Sequence, residues 1–322
     1  MWNTHAKLFK HILRHNLAKL RIKFGKNSAN LMILLFHTIY ESKAEREKDL
    51  VYPYIGMTVD NFRLVIEYYL SQEFMFVSPD EILLGIKDDR NYVLITFDDG
   101  YYNNLRVVPL LHEYRIPAIF FIATYFIHEK VGYWWDFIHR SCREKGMSNE
   151  KIDACVESMK KYTHVDIANH LLQNYGITNQ KPVADIDRPL TPDELKDLAQ
   201  DTLVHIGNHT RNHVILTNYF EADIRQQIQA SQTDIHDLID EAPSVISYPY
   251  GNYSKSIIEI AQQCGLKMGI TVDNVVNPAP IDQTSPDIMT LGRFMPVEKL
   301  PVVNQCRIYH GMTRAQNRDR IT

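Results

Sequence analysis

The chain has 322 residues and a formal net charge of −4, and 45% of its residues are hydrophobic. This composition is typical of a soluble globular protein with one large or two modest domains. The four cysteines are far apart and form no CxxC pair, so they indicate neither a disulfide framework nor a cysteine zinc site. We therefore expect reduced thiols.

Residues 1–30 form a basic amphipathic segment. No acidic residue occurs from Met1 to Tyr40, whereas seven lysines and arginines lie between Lys7 and Lys26. Apolar residues recur there at helical spacing, which predicts either an interfacial helix attracted to anionic lipid or a helix packed on the domain. The segment lacks the continuous apolar core of a signal peptide. We expect a cytoplasmic protein, located at the inner face of the membrane if this helix binds lipid.

Strands and helices alternate along most of the remaining chain, which predicts a parallel sheet or a barrel. The apolar runs predict strands over residues 31–36, 74–77, 92–97, 118–123, 203–206, 245–248 and 268–272. Capping residues predict helix starts at Thr58, Ser78 and Thr191. A largely helical stretch near residues 134–190 interrupts the alternation and is interpreted as an insertion. The expected organisation is one domain over residues 31–300, followed by a loose polar tail over residues 301–322.

Two adjacent carboxylates, Asp98 and Asp99, follow the predicted strand over residues 92–97. Ligands bind at the carboxyl ends of strands in α/β folds. Neighbouring strand residues point to opposite sides, so the two aspartates can have different roles. An Asp-Asp-Gly turn would explain the same pattern without any function.

A histidine pair, His209 and His213, also follows a predicted strand. A spacing of four residues predicts that both imidazoles lie on one face of a helical turn and bind one metal ion. Together with Asp99 they would make three protein ligands and leave one position open, as in catalytic zinc sites. The metal would lower the pKa of a bound water to about 7, and Asp98 could accept its proton.

Three ordered motifs together resemble the polysaccharide deacetylase family of carbohydrate esterases, which carries the NodB-homology domain. The motifs are Thr96-Phe97-Asp98-Asp99-Gly100-Tyr101, His209-Thr210-Arg211-Asn212-His213 and Ser247-Tyr248-Pro249-Tyr250-Gly251. The resemblance covers roughly residues 33–296. It implies a distorted (β/α) barrel of about seven strands, one divalent metal, commonly Zn²⁺, and hydrolysis of an N-acetyl group on an amino sugar.

The resemblance also implies roles for single residues. Asp98 becomes the general base, and Asp99, His209 and His213 become the metal ligands. The backbone N–H of Tyr250 becomes part of the oxyanion hole. We further expect substrate contacts from Tyr101, Pro249 and Tyr250, which would line the cleft.

Two departures from the family pattern concern the arginine that orients the base and the histidine that acts as general acid. The arginine that many members carry before the proline of the third motif is absent, and Arg293 either replaces it or is a structural ion-pair partner. A convincing C-terminal Leu-x-x-His is also absent, since His310 lies in the predicted tail. Residues 33–38 resemble the N-terminal strand of the branch related to biofilm poly-N-acetylglucosamine deacetylases, which implies that His37 is the general acid. The alternative is a capping or core histidine.

Other features admit two interpretations. Trp135 is either a sugar-stacking platform or a core anchor of the inserted helices.

The basic segment is not accompanied by a nucleic-acid recognition module, so we expect no nucleic-acid partner.

The predicted function is metal-dependent N-deacetylation of an amino sugar. The substrate would be a free, nucleotide-linked or lipid-linked intermediate of surface polysaccharide synthesis. One alternative is hydrolysis of a non-sugar amide, such as a cyclic imide or ureide, on the same fold. Another is a catalytically silent carbohydrate-binding scaffold, although the intact residues of the predicted site argue against it.

Overall fold

The computed structural model describes residues 29–52, 56–87, 89–178, 180–298 and 300–313. The basic amphipathic segment predicted over residues 1–30 lies outside these ranges except for its last two residues, so its contact with lipid stays a prediction. None of the helices in the described ranges is long and apolar enough to cross a membrane.

A mainly parallel sheet forms the centre of the fold. The strands in the described ranges are β1 Asn30–Phe36, β2 Ile39–Tyr40, β3 Met57–Thr58, β4 Met75–Phe76, β5 Tyr92–Phe97, β6 Ala118–Ile122, β7 Val204–Asn208, β8 Val245–Ser247, β9 Met268–Ile270 and β10 Asn277–Pro278. The order is β10-β1-β5-β6-β7-β8-β9, and β4 also pairs with β5. Only β10 is antiparallel to its neighbour in the described sheet.

The strands β1, β5 and β6 are buried along their whole length, as expected for a parallel sheet that is covered on both faces. Successive residues enter different apolar clusters, because side chains alternate between the two sides of a strand. In β1, Met32, Leu34 and Phe36 join one cluster, and Leu31 and Ile33 join the other.

A short segment after β10 curls the sheet towards a barrel. Leu291 pairs with Ile270 at the end of β9, and Phe294 pairs with Leu34 in β1. The Phe294 N–H donates to the Ile33 carbonyl over 2.9 Å. The segment thereby joins the two edges of the parallel sheet, and the predicted (β/α) barrel of about seven strands is confirmed.

Helices surround the sheet. Those in the described ranges are α1 Lys43–Arg46, α2 Val59–Ser71, α3 Pro79–Leu84, α4 Val108–Tyr114, α5 Thr124–Glu129, α6 Trp134–Glu144, α7 Asn149–Met159, α8 His164–Tyr175, α9 Pro192–Ala199, α10 Glu221–Ile239, α11 Lys255–Gln263 and α12 Val302–Thr313. The predicted caps Thr58, Ser78 and Thr191 begin α2, α3 and α9. Ser78 and Thr191 each form a capping box with a glutamate three residues later.

The expected loose tail is instead helical as far as Thr313, and this part of the prediction was wrong. Val302, Cys306 and His310 recur every four residues along α12 and are all buried. Nδ1 of His310 lies 3.2 Å from the hydroxyl of Tyr68 in α2. The buried face of α12 includes the polar side chains Gln305 and His310, so apolar periodicity alone did not indicate a helix here.

The predicted insertion consists of α6, α7 and α8, which pack around a cluster that includes Ile138, Ile152 and Leu171. Asp136 in α6 is buried and accepts hydrogen bonds from the Tyr52 N–H at 2.8 Å and from the Tyr101 hydroxyl at 2.9 Å. Burial raises the pKa of Asp136 to about 7, and these two hydrogen bonds oppose the rise only in part.

We expect the substitution Asn277→Ala to destabilise the closure of the sheet. The Asn277 amide donates to the carbonyls of Leu31 and Gly292 and accepts from the Gly292 N–H, all within the core. Alanine leaves these groups unpaired, which lowers the free energy of unfolding by about 2 to 4 kcal/mol. Denaturant unfolding measures the change. The matched substitution Asn174→Ala removes an exposed amide and is expected to change stability by less than about 0.5 kcal/mol. Equal effects would contradict the closure role.

Asp136 makes stability depend on pH. Its pKa is about 7 in the folded protein against an ordinary value of 3.8, so the folded state holds a proton that the unfolded chain has lost. The free energy of unfolding therefore falls as pH rises from about 4 to about 7. Asp136→Asn removes this titration, so its unfolding free energy has a shallower pH slope in denaturant titrations. Asp60→Asn, an exposed control, retains the wild-type slope. Parallel curves for wild type and Asp136→Asn would refute the prediction.

Candidate active site

The predicted metal ligands converge at the carboxyl ends of two strands. Asp99 follows β5, and His209 and His213 follow β7. One ligand atom from each of the three lies within 4.8 Å of the others, and all three side chains are buried. The Asp99 carboxylate lies 3.1 Å from Nε2 of His213 and 3.4 Å from Nε2 of His209.

The backbone turns sharply at Asp99, which has a φ of 78°. This left-handed conformation is rare for residues other than glycine. The hydroxyl of Tyr133, the residue that precedes α6, donates to the Asp99 carbonyl over 3.1 Å. The residue that leads into the insertion therefore supports the backbone of a candidate metal ligand directly.

The histidine pair lies in a loop and not on the helical turn that its spacing predicted. Thr210 and His213 have φ values of 61° and 51°, which curl residues 209–213 out of helical geometry. The Asn208 side chain accepts the Thr210 N–H at 2.8 Å, and the Thr210 hydroxyl accepts the Val214 N–H at 3.3 Å. These side-chain bonds replace the helical backbone bonds.

The donor set fits a divalent cation. Nδ1 of His209 lies 2.7 Å from the Ser247 carbonyl oxygen, which can only accept, so Nδ1 carries the proton and Nε2 has a free lone pair. Oδ1 of Asp99 is buried and has no hydrogen-bond partner among the described residues. Two acceptors that face each other in a buried site are unfavourable unless a cation lies between them. Two imidazoles and one carboxylate match the ligands of catalytic Zn²⁺ sites.

Burial and the neighbouring charges change the pKa values of the two histidines and of Asp99. Burial alone would lower the pKa of His209, but the Asp98 and Asp99 charges outweigh it and raise the pKa. For His213 burial dominates and lowers the pKa. Burial would raise the pKa of Asp99, but the two histidines hold it below its ordinary value, so Asp99 is ionised at neutral pH.

Asp98 is held by the buried guanidinium of Arg293. Arg293 donates two hydrogen bonds to the Asp98 carboxylate, of 2.8 and 2.5 Å. Its remaining donors bond the Thr271 carbonyl at 2.8 Å, the Ser247 hydroxyl at 2.8 Å and the Thr96 hydroxyl at 3.3 Å. Burial would raise the pKa of Asp98, but the Arg293 charge outweighs it, so the pKa is lowered and Asp98 is ionised.

His37 and Tyr250 are the remaining predicted catalytic residues. His37 directly follows β1, and Asn104 donates a hydrogen bond to its carbonyl. Burial lowers the pKa of His37, and its Nδ1 has no hydrogen-bond partner in the described part of the chain. Tyr250 has a φ of 57°, and its ring centroid lies 5.1 Å from that of His213.

These residues surround a pocket of about 550 Å³. Several of its walls come from residues that the sequence analysis did not identify, because they belong to no motif. Those residues are Leu35, Tyr52, Val156, Glu157, Lys160, Val272, Asn274, Met295 and Tyr309. The helical stretch near residues 134–190 was interpreted only as an insertion, with Trp135 as its candidate contact with substrate.

Two of the predicted substrate contacts lie outside the pocket lining. Tyr101 and Pro249 are buried and are not among the residues that line the pocket, so contact of either with substrate stays a prediction. The Tyr101 hydroxyl accepts a hydrogen bond from Nε1 of Trp135 over 2.7 Å. Trp135 does line the pocket, but it is only 5% exposed and its ring lies 4.9 Å from that of His213. Its packing favours the core-anchor interpretation.

Comparisons with known proteins agree with this architecture. YxkH of Bacillus subtilis (strain 168), which is named for the polysaccharide deacetylases, is 21% identical over 250 residues. That match covers 76% of this chain and 65% of YxkH, which is less than two thirds of its length.

Solved structures share the fold. The deacetylase PplD of Streptococcus pyogenes, in complex with acetate, is 17% identical with a TM-score of 0.60, covering 88% of this chain and 99% of PplD. A de-N-acetylase from Aggregatibacter actinomycetemcomitans is also 17% identical with a TM-score of 0.60, covering 87% and 99%. IcaB from Ammonifex degensii is 15% identical with a TM-score of 0.59, covering 88% and 97%.

The family model for polysaccharide deacetylases matches residues 85–269, which is more than half of the chain. The match includes Asp98, Asp99, both histidines and Tyr250. The chain therefore belongs to the polysaccharide deacetylase family.

Proposed function

We propose that this chain is a metal-dependent hydrolase that removes an N-acetyl group from an amino sugar. The observation that carries the proposal is the convergence of Asp99, His209 and His213 beside the Arg293-bound carboxylate of Asp98. Membership of the polysaccharide deacetylase family supports N-deacetylation of a sugar as the reaction class.

Asp99, His209 and His213 are the proposed ligands of one divalent cation, with Zn²⁺ as the best match to their donor atoms. When bound, the cation would act as a Lewis acid towards the amide carbonyl and would promote ionisation of the attacking water. Ser247 and the neighbouring backbone hold the His209 ring in the tautomer that such binding requires.

Asp98 is the proposed general base. Its carboxylate is ionised at neutral pH because Arg293 lies against both oxygens. A guanidinium does not release its proton in this range, so it keeps Asp98 in one orientation without competing for the proton of the water. The lone pairs that Arg293 leaves free can accept that proton as the carbon–oxygen bond forms.

The backbone N–H of Tyr250 is the proposed donor to the oxyanion that forms on the amide carbonyl. The left-handed conformation of Tyr250 and the packing of its ring against His213 give this loop a defined shape beside the proposed metal ligands. A donor that is already oriented needs no rearrangement while charge develops on the substrate.

His37 is the proposed general acid, which protonates the leaving amine. Burial lowers the pKa of His37, so its protonated form releases the proton readily. The charges of Asp98 and Asp99 oppose this lowering of the pKa only in part. His37 lines the same pocket as both aspartates.

The proposed substrate is a free, nucleotide-linked or lipid-linked N-acetylated sugar of surface polysaccharide synthesis. A volume of about 550 Å³ is within the range of pockets that bind small molecules and cofactors. This size supports a substrate of limited length.

Acetate release from N-acetylated sugars tests the reaction. We expect turnover by the zinc-loaded protein, its loss with a chelator and its return with Zn²⁺. Asp98→Asn is expected to retain the metal and to lower kcat by about 10²- to 10⁴-fold, because an amide cannot accept the proton of the water. His213→Ala, in contrast, is expected to lose metal affinity. Activity that is insensitive to chelator, or full turnover by Asp98→Asn, would contradict the proposal.

His37→Ala is expected to lower kcat for amide substrates by about 10²-fold without loss of metal, because an amine leaves only after protonation. An aryl acetate has a leaving group that needs no proton, so its hydrolysis is expected to depend much less on His37. Parallel assays of the amide and the ester, with metal analysis, measure both effects. An equal loss on the two substrates, or loss of metal, would show that His37 has another role.

A further inference from the structure

A lysine of the insertion lies at the wall of the candidate active site. Lys160 follows the last residue of α7 and lines the pocket together with Val156 and Glu157. Its ammonium lies 4.6 Å from the centroid of the Tyr250 ring, and the same ring packs against His213. Lys160 is thus one aromatic side chain away from a proposed metal ligand.

Among the described residues, one lysine and one arginine line this pocket, namely Lys160 and Arg293. The five donors of Arg293 are directed at Asp98, Ser247, Thr271 and Thr96, so a substrate cannot use them. The ammonium of Lys160 carries three protons, and Glu157 accepts it at a distance of 2.6 Å. Lys160 therefore has donors that a ligand in the pocket can share.

Lys160 can exchange the Glu157 carboxylate for another anionic partner. The Lys160 side chain is 30% exposed and that of Glu157 is 69% exposed. Exposed ion pairs of this kind contribute little stability, so an incoming anion can replace the carboxylate at little cost. The lysine backbone is held in place, because its carbonyl accepts the Asn218 side-chain amide over 2.8 Å and its N–H donates to the Glu157 carbonyl over 3.1 Å.

The neighbouring charges are already neutralised. Asp98 is paired with Arg293, and Asp99 is a proposed ligand of a cation. Of the acidic residues that line the pocket, Glu157 remains, and its side chain is largely exposed to solvent, which screens its charge. An anionic group that reaches Lys160 therefore meets a positive partner and little repulsion.

We infer that Lys160 binds an anionic oxygen group, a phosphate or a carboxylate, that the N-acetylated sugar carries. Lys160 is then a specificity-determining residue, and the substrates of this pocket are negatively charged sugars. The inference rests on the proposed deacetylase function, because it assigns a substrate class to the same site.

Kinetics on paired substrates test the inference. The probes are methyl N-acetylglucosaminide, N-acetylglucosamine 1-phosphate and N-acetylmuramic acid, and acetate release is measured for each. In the wild type we expect a higher kcat/KM for a charged probe than for the neutral one. Lys160→Met is expected to lower that ratio about tenfold, mainly through KM, because a charged hydrogen bond is lost. The probe whose ratio changes identifies phosphate or carboxylate as the group bound.

Two further variants serve as controls. Lys161→Met removes the same charge from the adjacent residue, whose ammonium lies over the Tyr162 ring and not in the pocket, so the substrate ratio is expected to stay at the wild-type value. Glu157→Gln removes the competing carboxylate and is expected to increase the preference for the charged probe. A preference that changes equally in Lys160→Met and Lys161→Met would overturn the inference, since it would reflect only net charge.

Calorimetric binding of N-acetylglucosamine 1-phosphate and N-acetylmuramic acid to the zinc-loaded protein separates the two proposals. If none of the probes releases acetate but Lys160→Met weakens binding of a charged probe about tenfold, the deacetylase proposal fails and the anion contact stands. If wild type and Lys160→Met show the same affinities and the same substrate ratio, Lys160 does not bind the anion, whatever the turnover.

Discussion

The buried ion pair between Asp98 and Arg293 links the closure of the fold to its chemistry. Arg293 lies in the segment that joins β9 to β1, and Asp98 follows β5, the neighbour of β1 in the sheet. Removing one partner of such a pair leaves an unpaired buried charge, which typically costs about 3 to 5 kcal/mol. The guanidinium also bonds the Thr271 carbonyl and the Ser247 hydroxyl, so one side chain connects three strand ends. The orientation proposed for the base therefore depends on the closed sheet.

Backbone strain is concentrated around the same site. Four of the nine non-glycine residues with positive φ among the described ones are Asp99, Thr210, His213 and Tyr250. Such conformations cost free energy and persist where the surrounding structure compensates for them. The Tyr133 hydroxyl bonds the Asp99 carbonyl, and Asn208 bonds the Thr210 N–H. These contacts hold the strained backbone in the conformation that brings the three candidate ligands together.

The helical insertion has two connections to the site. One is internal, where Trp135 packs beside His213 and bonds Tyr101, which in turn bonds Asp136. The other is at the pocket wall, where Lys160 lies over the Tyr250 ring. An element outside the three motifs can therefore influence both the position of the proposed ligands and the choice of substrate.

The sequence by itself determined the alternating elements, their capped helix starts, the Asp98-Asp99 pair at a strand end and the family, because apolar periodicity, capping and short motifs are local properties. Tertiary structure decided the rest. The His209–His213 segment is a loop because its hydrogen bonds go to side chains, and α12 forms because α2 covers its apolar face. The pairing of Arg293 with Asp98 spans 195 positions in the chain. No local spacing encodes a contact at that separation, since it exists only after the closing segment has joined the two edges of the sheet.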